Sequence, residues 1–176
     1  MQDLIDYALK KGITLQDQGD CQFCGANVAG GVYECHANAH HLVELLDFNN
    51  PLFYQTRFLS VDAMALQHSE IHGPWNNHIH LTRLFLIFEK EVQWTYLKTP
   101  LLSVVINQYK KNKEEFLTPP PLQQRGTLTT SDLVGLTSTQ DCVKLVRQWA
   151  MDVYTSYSDH HHLVSLIADT FLTRYR

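Results

Sequence analysis

No stretch of this sequence approaches the roughly 20 consecutive apolar residues that a bilayer-spanning helix needs, and there is no excess of positive charge. Lysine and arginine number 14 against 18 aspartates and glutamates, a formal charge of −4, which argues against a surface that tracks a phosphate backbone. Neither a membrane nor nucleic acid is expected as a partner. The N-terminal apolar stretch carries Asp3 and Asp6, unlike a secretory leader, so the expected compartment is the cytoplasm. No internal repeat is visible. Cysteine is sparse, with 4 in 176 residues. Two disulfides would suit a secreted chain, but thiols kept reduced in the cytoplasm point to metal or redox chemistry.

What the chain does have is enough apolar content, 44%, to enclose one hydrophobic core. The expectation is a single helical domain over 1–176, all-α, a bundle of about five to six helices. Leu4, Ile5, Ala8 and Leu9 recur at helical spacing before Gly12, and a second helix is expected from about Cys35 to Asp47, closed by Asn49, Asn50 and Pro51. A third is expected to start at a Ser60 cap, with Val61, Met64, Ala65 and His68 inward. A fourth should start near Asn77 and run toward Trp94, and a fifth from Thr99-Pro100 to Phe116. Ser131 and Asp132 suggest one helical turn. Ser138 with Asp141 resembles a capping box for a helix burying Cys142, Val146, Trp149 and Val153, and Ser158 or Asp159 should cap the last helix through Leu172.

Glycine and polar residues break the helical period from Ile13 to Glu34, so 13–35 reads as a loop resembling a zinc knuckle. Cys21 and Cys24 form a CxxCG turn in which Gly25 permits a positive φ, and ten residues lie between Cys24 and Cys35. Three thiolates need a fourth ligand. A thioredoxin-like dithiol would require a βαβ setting that this chain lacks, and isolated loop thiols are the bland alternative. Cys142, on an apolar stripe, is read as core.

Ten histidines are many for this length, and they gather at 36–41, 68–80 and 160–162. His68 on a buried face suits a ligand or a core imidazole bonded to a carbonyl. His78 and His80 flank the stripe of the fourth helix. His160, His161 and His162 point in different directions, so at least one should face solvent. Asp62, two residues after the expected cap, would favour the helix dipole without any catalytic role. Six residues rotate Asp62 roughly 120° from His68 on a helix, which assigns them to different neighbourhoods.

The segments CQFCGA at 21–26, VDAMALQH at 61–68, HLTRLFLIFE at 80–89 and RQWAMDVYTSYSDHHHLV at 147–164 resemble one family. It is a domain of unknown function in uncharacterised bacterial proteins, with the motifs CxxCGA, VDAYxxQHP, HLxxL, WAxxVW and HHxxV. The resemblance selects Cys21, Cys24, Cys35, Asp62, His68, His80, Trp149, His160 and His161, and passes over His36, His40, His41, His72 and His78. Met64, Ser69 and Tyr154 depart from its pattern without removing a ligand. It implies a shared architecture and site, and no activity.

The leading expectation is therefore a structural zinc site of Cys21, Cys24, Cys35 and His68, with His40 and His80 as rival fourth ligands. A second is a metal-dependent or acid/base enzyme with a bundle pocket lined by Asp62, His80 and His161. A third is a protein interaction module using aromatic anchors such as Trp75. The metal ion is the partner expected; a small-molecule or protein partner is left open.

Overall fold

The computed structural model describes residues 2–47, 50, 53–97, 99–111 and 117–175. Among them the secondary structure is helical: α1 (Gln2–Lys10), α2 (Gly31–Leu45), α3 (Tyr54–Gln67), α4 (Pro74–Phe88), α5 (Thr99–Lys111), α6 (Thr139–Ser156) and α7 (His161–Tyr175), joined by short 3-10 turns. The class is as expected, with seven helices rather than five to six. α3 packs between α4 and α6, α4 also meets α5 and α7, and α2 docks through the 3-10 turn Thr130–Leu133 and α6. α4 is buried on nearly every side, with Leu81, Leu84 and Leu86 fully enclosed, which makes it the central helix of the bundle.

Several helix starts lie earlier than the sequence suggested, each for a local reason. α2 begins at Gly31, one turn before Cys35, because the Glu34 carboxylate accepts from the Ala29 and Gly30 amides and organises the entry. Gly31 has φ +57° and any Cβ there would collide with Gln16 O, so the entry requires glycine. α3 begins at Tyr54, and Ser60 sits inside it, its hydroxyl donating back to Arg57 O instead of capping. Val61, expected inward, is 46% exposed as a result. α4 starts with Pro74 at its first position and stops at Phe88, leaving Trp94–Tyr96 as a separate 3-10 turn. Asn77 is buried and donates to Ser69 O instead of capping α4. A 3-10 turn, Ser158–His160, precedes α7. The expected stops at Asn49, Pro51 and Phe116, and the Leu4 side chain, lie outside the described residues.

Other expectations hold in detail. Gly12 carries φ +68° just past α1. Ser138 Oγ accepts from Asp141 N, and Cys142, Val146, Trp149 and Val153 are enclosed along α6. The 13–30 segment is a loop with one isolated parallel bridge, Gly19 to Gly30. Among the described residues no helix is long and apolar enough to cross a membrane.

Candidate metal centre

The CxxC turn is closed by two backbone bonds, Gly25 N to Cys21 O at 2.8 Å and Cys21 N to Ala26 O at 3.0 Å, with Gly25 at φ +73°. This turn aims both sulfurs at Cys35 on α2 and at His68, the residue that ends α3. Cys21 Sγ and Cys35 Sγ each lie 3.4 Å from His68 Nε2, and Cys24 Sγ lies 3.6 Å from Cys35 Sγ. All four ligand atoms fall within 4.8 Å of one another, and all four residues are buried. The edges of a tetrahedron around zinc are about 3.8 Å for S···S and about 3.6 Å for S···N, given Zn–S near 2.3 Å and Zn–N near 2.05 Å. The constellation is therefore of a size that could hold one metal ion.

His68 is oriented for this task. Its Nδ1–H donates to Met64 O at 2.8 Å, one turn back on α3, which leaves Nε2 facing the sulfurs. The i−4 carbonyl fixes both the ring and the tautomer, so the core and ligand readings of His68 are satisfied together. Phe23 and His36 meet the same ring edge-on at 5.9 and 5.4 Å and keep it dry.

The protonation states show what the cluster lacks without a cation. Burial alone pulls the His68 pKa down, but the bonds to Cys21 and Cys35 outweigh it and lift the value to about 10. Hydrogen bonds from Cys24 and Cys35 hold the Cys21 thiol well below its ordinary range, while those from Cys21 and Cys35, with burial, push Cys24 up. One imidazolium–thiolate pair can form, but three adjacent thiolates cannot coexist unaided. A divalent cation would displace the His68 proton and permit all three to ionise.

Residues that the sequence did not single out complete the surroundings. Thr130 is fully buried, and its Oγ1 lies 3.1 Å from Cys35 Sγ, where the hydroxyl can donate to a thiolate. Thr130→Val should weaken metal affinity roughly 10-fold or more, the usual cost of removing such an outer partner; a chelator competition assay measures it, and an unchanged affinity would deny the bond any role. Arg125 donates to Phe23 O at 2.9 Å, Gln67 O at 3.1 Å and Pro120 O at 2.8 Å and pairs with Glu70, tying the cysteine loop to the end of α3. Gln67 in turn accepts from Trp149 Nε1 at 3.0 Å, so two residues of separate sequence motifs meet directly beside His68. Nothing in the local sequence marks Thr130 or Arg125, since the bonds that bring them to Cys35 and to Phe23 span 95 and 102 residues.

Asp62 and His80 form a second polar group, distinct from His68. His80 Nδ1 lies 2.7 Å from Asp62 Oδ1, and Arg83 Nε donates to Asp62 Oδ2 at 2.9 Å. Asp62 is fully buried in mid-helix, so the expected interaction with the helix dipole is replaced by this ion pair. His161 has contacts of its own: its Nε2 lies 3.0 Å from Tyr154 O, its ring stacks on Tyr154 at 4.1 Å, and it meets α4 at Phe85. His160 bonds to Thr118 O, and His162 is the exposed member of the triplet. Of the rival fourth ligands, His40 and His80 lie outside the four-residue cluster. Trp75 is half-buried against the His78 ring, 4.9 Å away.

Burial lowers the His36 pKa to about 4 and the His72 pKa to about 3 from an ordinary 6.5, with neighbouring imidazoles adding to the effect. Both are neutral when folded and gain a proton on unfolding once the pH drops below 6.5. Their contribution is thus complete above pH 6.5 and is lost as the pH falls toward 4 and 3, by at most about 1.4 kcal/mol per pH unit each. His72→Gln should flatten the acid limb of a urea-stability profile between pH 6.5 and 4; an identical slope would show that His72 is already solvated.

A family model described as a family of unknown function, DUF5946, matches residues 19–158, which include all four cluster residues together with Asp62, His80 and Trp149. No curated protein and no solved structure matches the chain.

Proposed function

Since the chain belongs to that family, which lends it no activity, we propose from its geometry that it is a zinc-binding protein whose Cys21, Cys24, Cys35 and His68 form a closed structural site. The observation that carries this is the convergence of three sulfurs and His68 Nε2 within 4.8 Å of one another, all buried. Three thiolates and one imidazole in a tetrahedron favour zinc over the hard cations, which take oxygen ligands. Four protein ligands leave no position for substrate, so this ion's role is to fasten the 13–30 loop to α2 and α3. Residues 1–176 then act as one unit in a compartment that keeps thiols reduced, consistent with a cytoplasmic location.

Metal analysis of protein purified without chelator tests the proposal. Close to one zinc per chain is expected, with an anomalous peak at the zinc edge between the three sulfurs. Protein that is folded and free of metal would end it.

A further inference from the structure

α2, α3 and α4 border a cavity of about 230 Å³. Its wall is largely apolar, with Ala39, Leu42 and Met64, and its polar groups are chiefly imidazoles. Among the described residues no carboxylate, lysine or arginine lines it. One of the imidazoles, His80, is backed by the buried Asp62 carboxylate. We propose that this cavity binds a small monocarboxylic acid with an apolar body, and that His80 takes up the acid's proton at Nε2.

The tautomer of His80 is the first support. Its Nδ1 lies 2.7 Å from Asp62 Oδ1 and 3.2 Å from Arg83 Nη2. An ionised carboxylate only accepts, so the shorter contact is Nδ1–H donating to Asp62, and Arg83 Nη2 comes near because it bonds the same oxygen. The polar contacts that His80 makes among the described residues are all at Nδ1. Nε2 therefore keeps its lone pair, on a side chain that retains 14% exposure and lines the cavity.

Charge balance is the second. Arg83 Nε donates to Asp62 at 2.9 Å, so Asp62, Arg83 and a neutral His80 sum to zero. A carboxylate entering alone would put an unpaired negative charge against an apolar wall, which is costly. Carried in with one proton, it leaves the sum at zero. The O–H bond of the acid, or one of water, breaks, an N–H bond forms at Nε2, and the carboxylate accepts a hydrogen bond from it. Asp62 favours the ring in that protonated form. A permanent anion finds no arginine or lysine at the wall, and an amine finds no carboxylate.

His36 and His40 of α2 and His72 after α3 are the other titratable groups that line the cavity. His72 meets the His80 ring edge-on, with centroids 6.0 Å apart, and burial holds it neutral, its pKa lowered to about 3. Among the described residues none of these three bonds a carboxylate, which singles out His80 as the proton acceptor. The volume lies just below the usual range of ligand sites, which begins at about 300 Å³, so the occupant is compact.

Calorimetric titration of benzoate and of hexanoate into the full-length protein tests this. One equivalent is expected to bind, with uptake of about one proton at about pH 8, read from the heats in two buffers of different ionisation enthalpy. Because the complex holds the extra proton, affinity should fall by about tenfold per pH unit above that. Benzyl alcohol, similar in shape but not acidic, should bind about tenfold more weakly or less, and His80→Gln should weaken benzoate by as much and abolish the proton uptake. Asp62 is a positioning residue, and Asp62→Asn should move the fall in affinity to lower pH, a change that lost packing alone does not produce. Ala39 is half-buried and lines this cavity but not the neighbouring hollow that His80 shares with Arg57 and Arg83. Ala39→Phe should therefore abolish binding, and it keeps the test decisive should the polar variants misfold. No binding of either acid, equal binding of benzyl alcohol, no proton uptake, or benzoate affinity that survives His80→Gln or Ala39→Phe would overturn the proposal. No residue of the cavity belongs to the cysteine cluster, so failure of the zinc reading would appear as missing zinc and leave these results standing.

Discussion

Cys35→Ser is expected to lower zinc affinity by two orders of magnitude or more and to reduce the melting temperature by about 10 °C. Structural zinc contributes about 10–16 kcal/mol of binding free energy in small zinc domains, so one of four ligands carries roughly 3 kcal/mol. For a chain of this length each kcal/mol moves the midpoint by about 2–4 °C. Cys35 is the most sensitive position because it is fully buried and contacts Cys24, His68 and Thr130 at once. Serine keeps the volume but supplies a poor zinc ligand. Competition with a chromogenic chelator, alongside calorimetry, measures both effects. Cys142→Ala is the matched control: Cys142 sits on α6 in the core, outside the cluster, so zinc content should remain at one per chain. Equal zinc retention in the Cys35 and Cys142 variants would refute the assignment of the site.

Asp62→Ala should destabilise the fold by about 3–5 kcal/mol even though no proposed zinc ligand is touched. The change removes the carboxylate from Arg83, a residue only 3% exposed, and a buried charge stripped of its ion-pair partner carries a penalty of that size. The Arg83 Cζ still lies 5.1 Å from the centroid of the Phe58 ring, but a ring face cannot replace a carboxylate. His80 would lose its acceptor as well. The double change Asp62→Leu with Arg83→Met should recover part of the loss, because apolar groups of similar volume need no counter-charge. Urea unfolding with an unchanged denaturant slope reports the difference. A loss below about 1 kcal/mol for Asp62→Ala would show the pair to be solvated.

The cysteine set was legible because a CxxCG turn is a local object: the spacing of two thiols and the φ requirement of one glycine are fixed by adjacent residues. The fourth ligand was not legible from spacing, since His68 stands 33 residues beyond Cys35. The resemblance narrowed that choice, and packing of α3 against the cysteine loop settled which imidazole the structure brings to the sulfurs. Asp62 and His80 were selected as polar residues on or beside apolar faces. Their partner Arg83 was passed over because a single arginine in a helix ordinarily reaches solvent. His36 and His72 were also passed over, and they line one cavity with His80 only because α2, the turn after α3, and α4 close around it.

Helix existence was set by the sequence, through apolar periodicity and the turn chemistry at Gly12, Ser138 and the Thr99-Pro100 start. Helix beginnings were less so: Ser60 and Asn77 have the side chains of good caps, yet each is buried inside a helix whose start lies upstream. Capping preference is worth about 1 kcal/mol, which burial of the apolar residues around Leu59 and Leu81 readily exceeds. The sequence alone thus determined an all-helical chain with three thiols ready for a metal. Tertiary packing decided which histidine joins them, which carboxylate is neutralised and where a cavity remains, because those contacts join residues tens of positions apart.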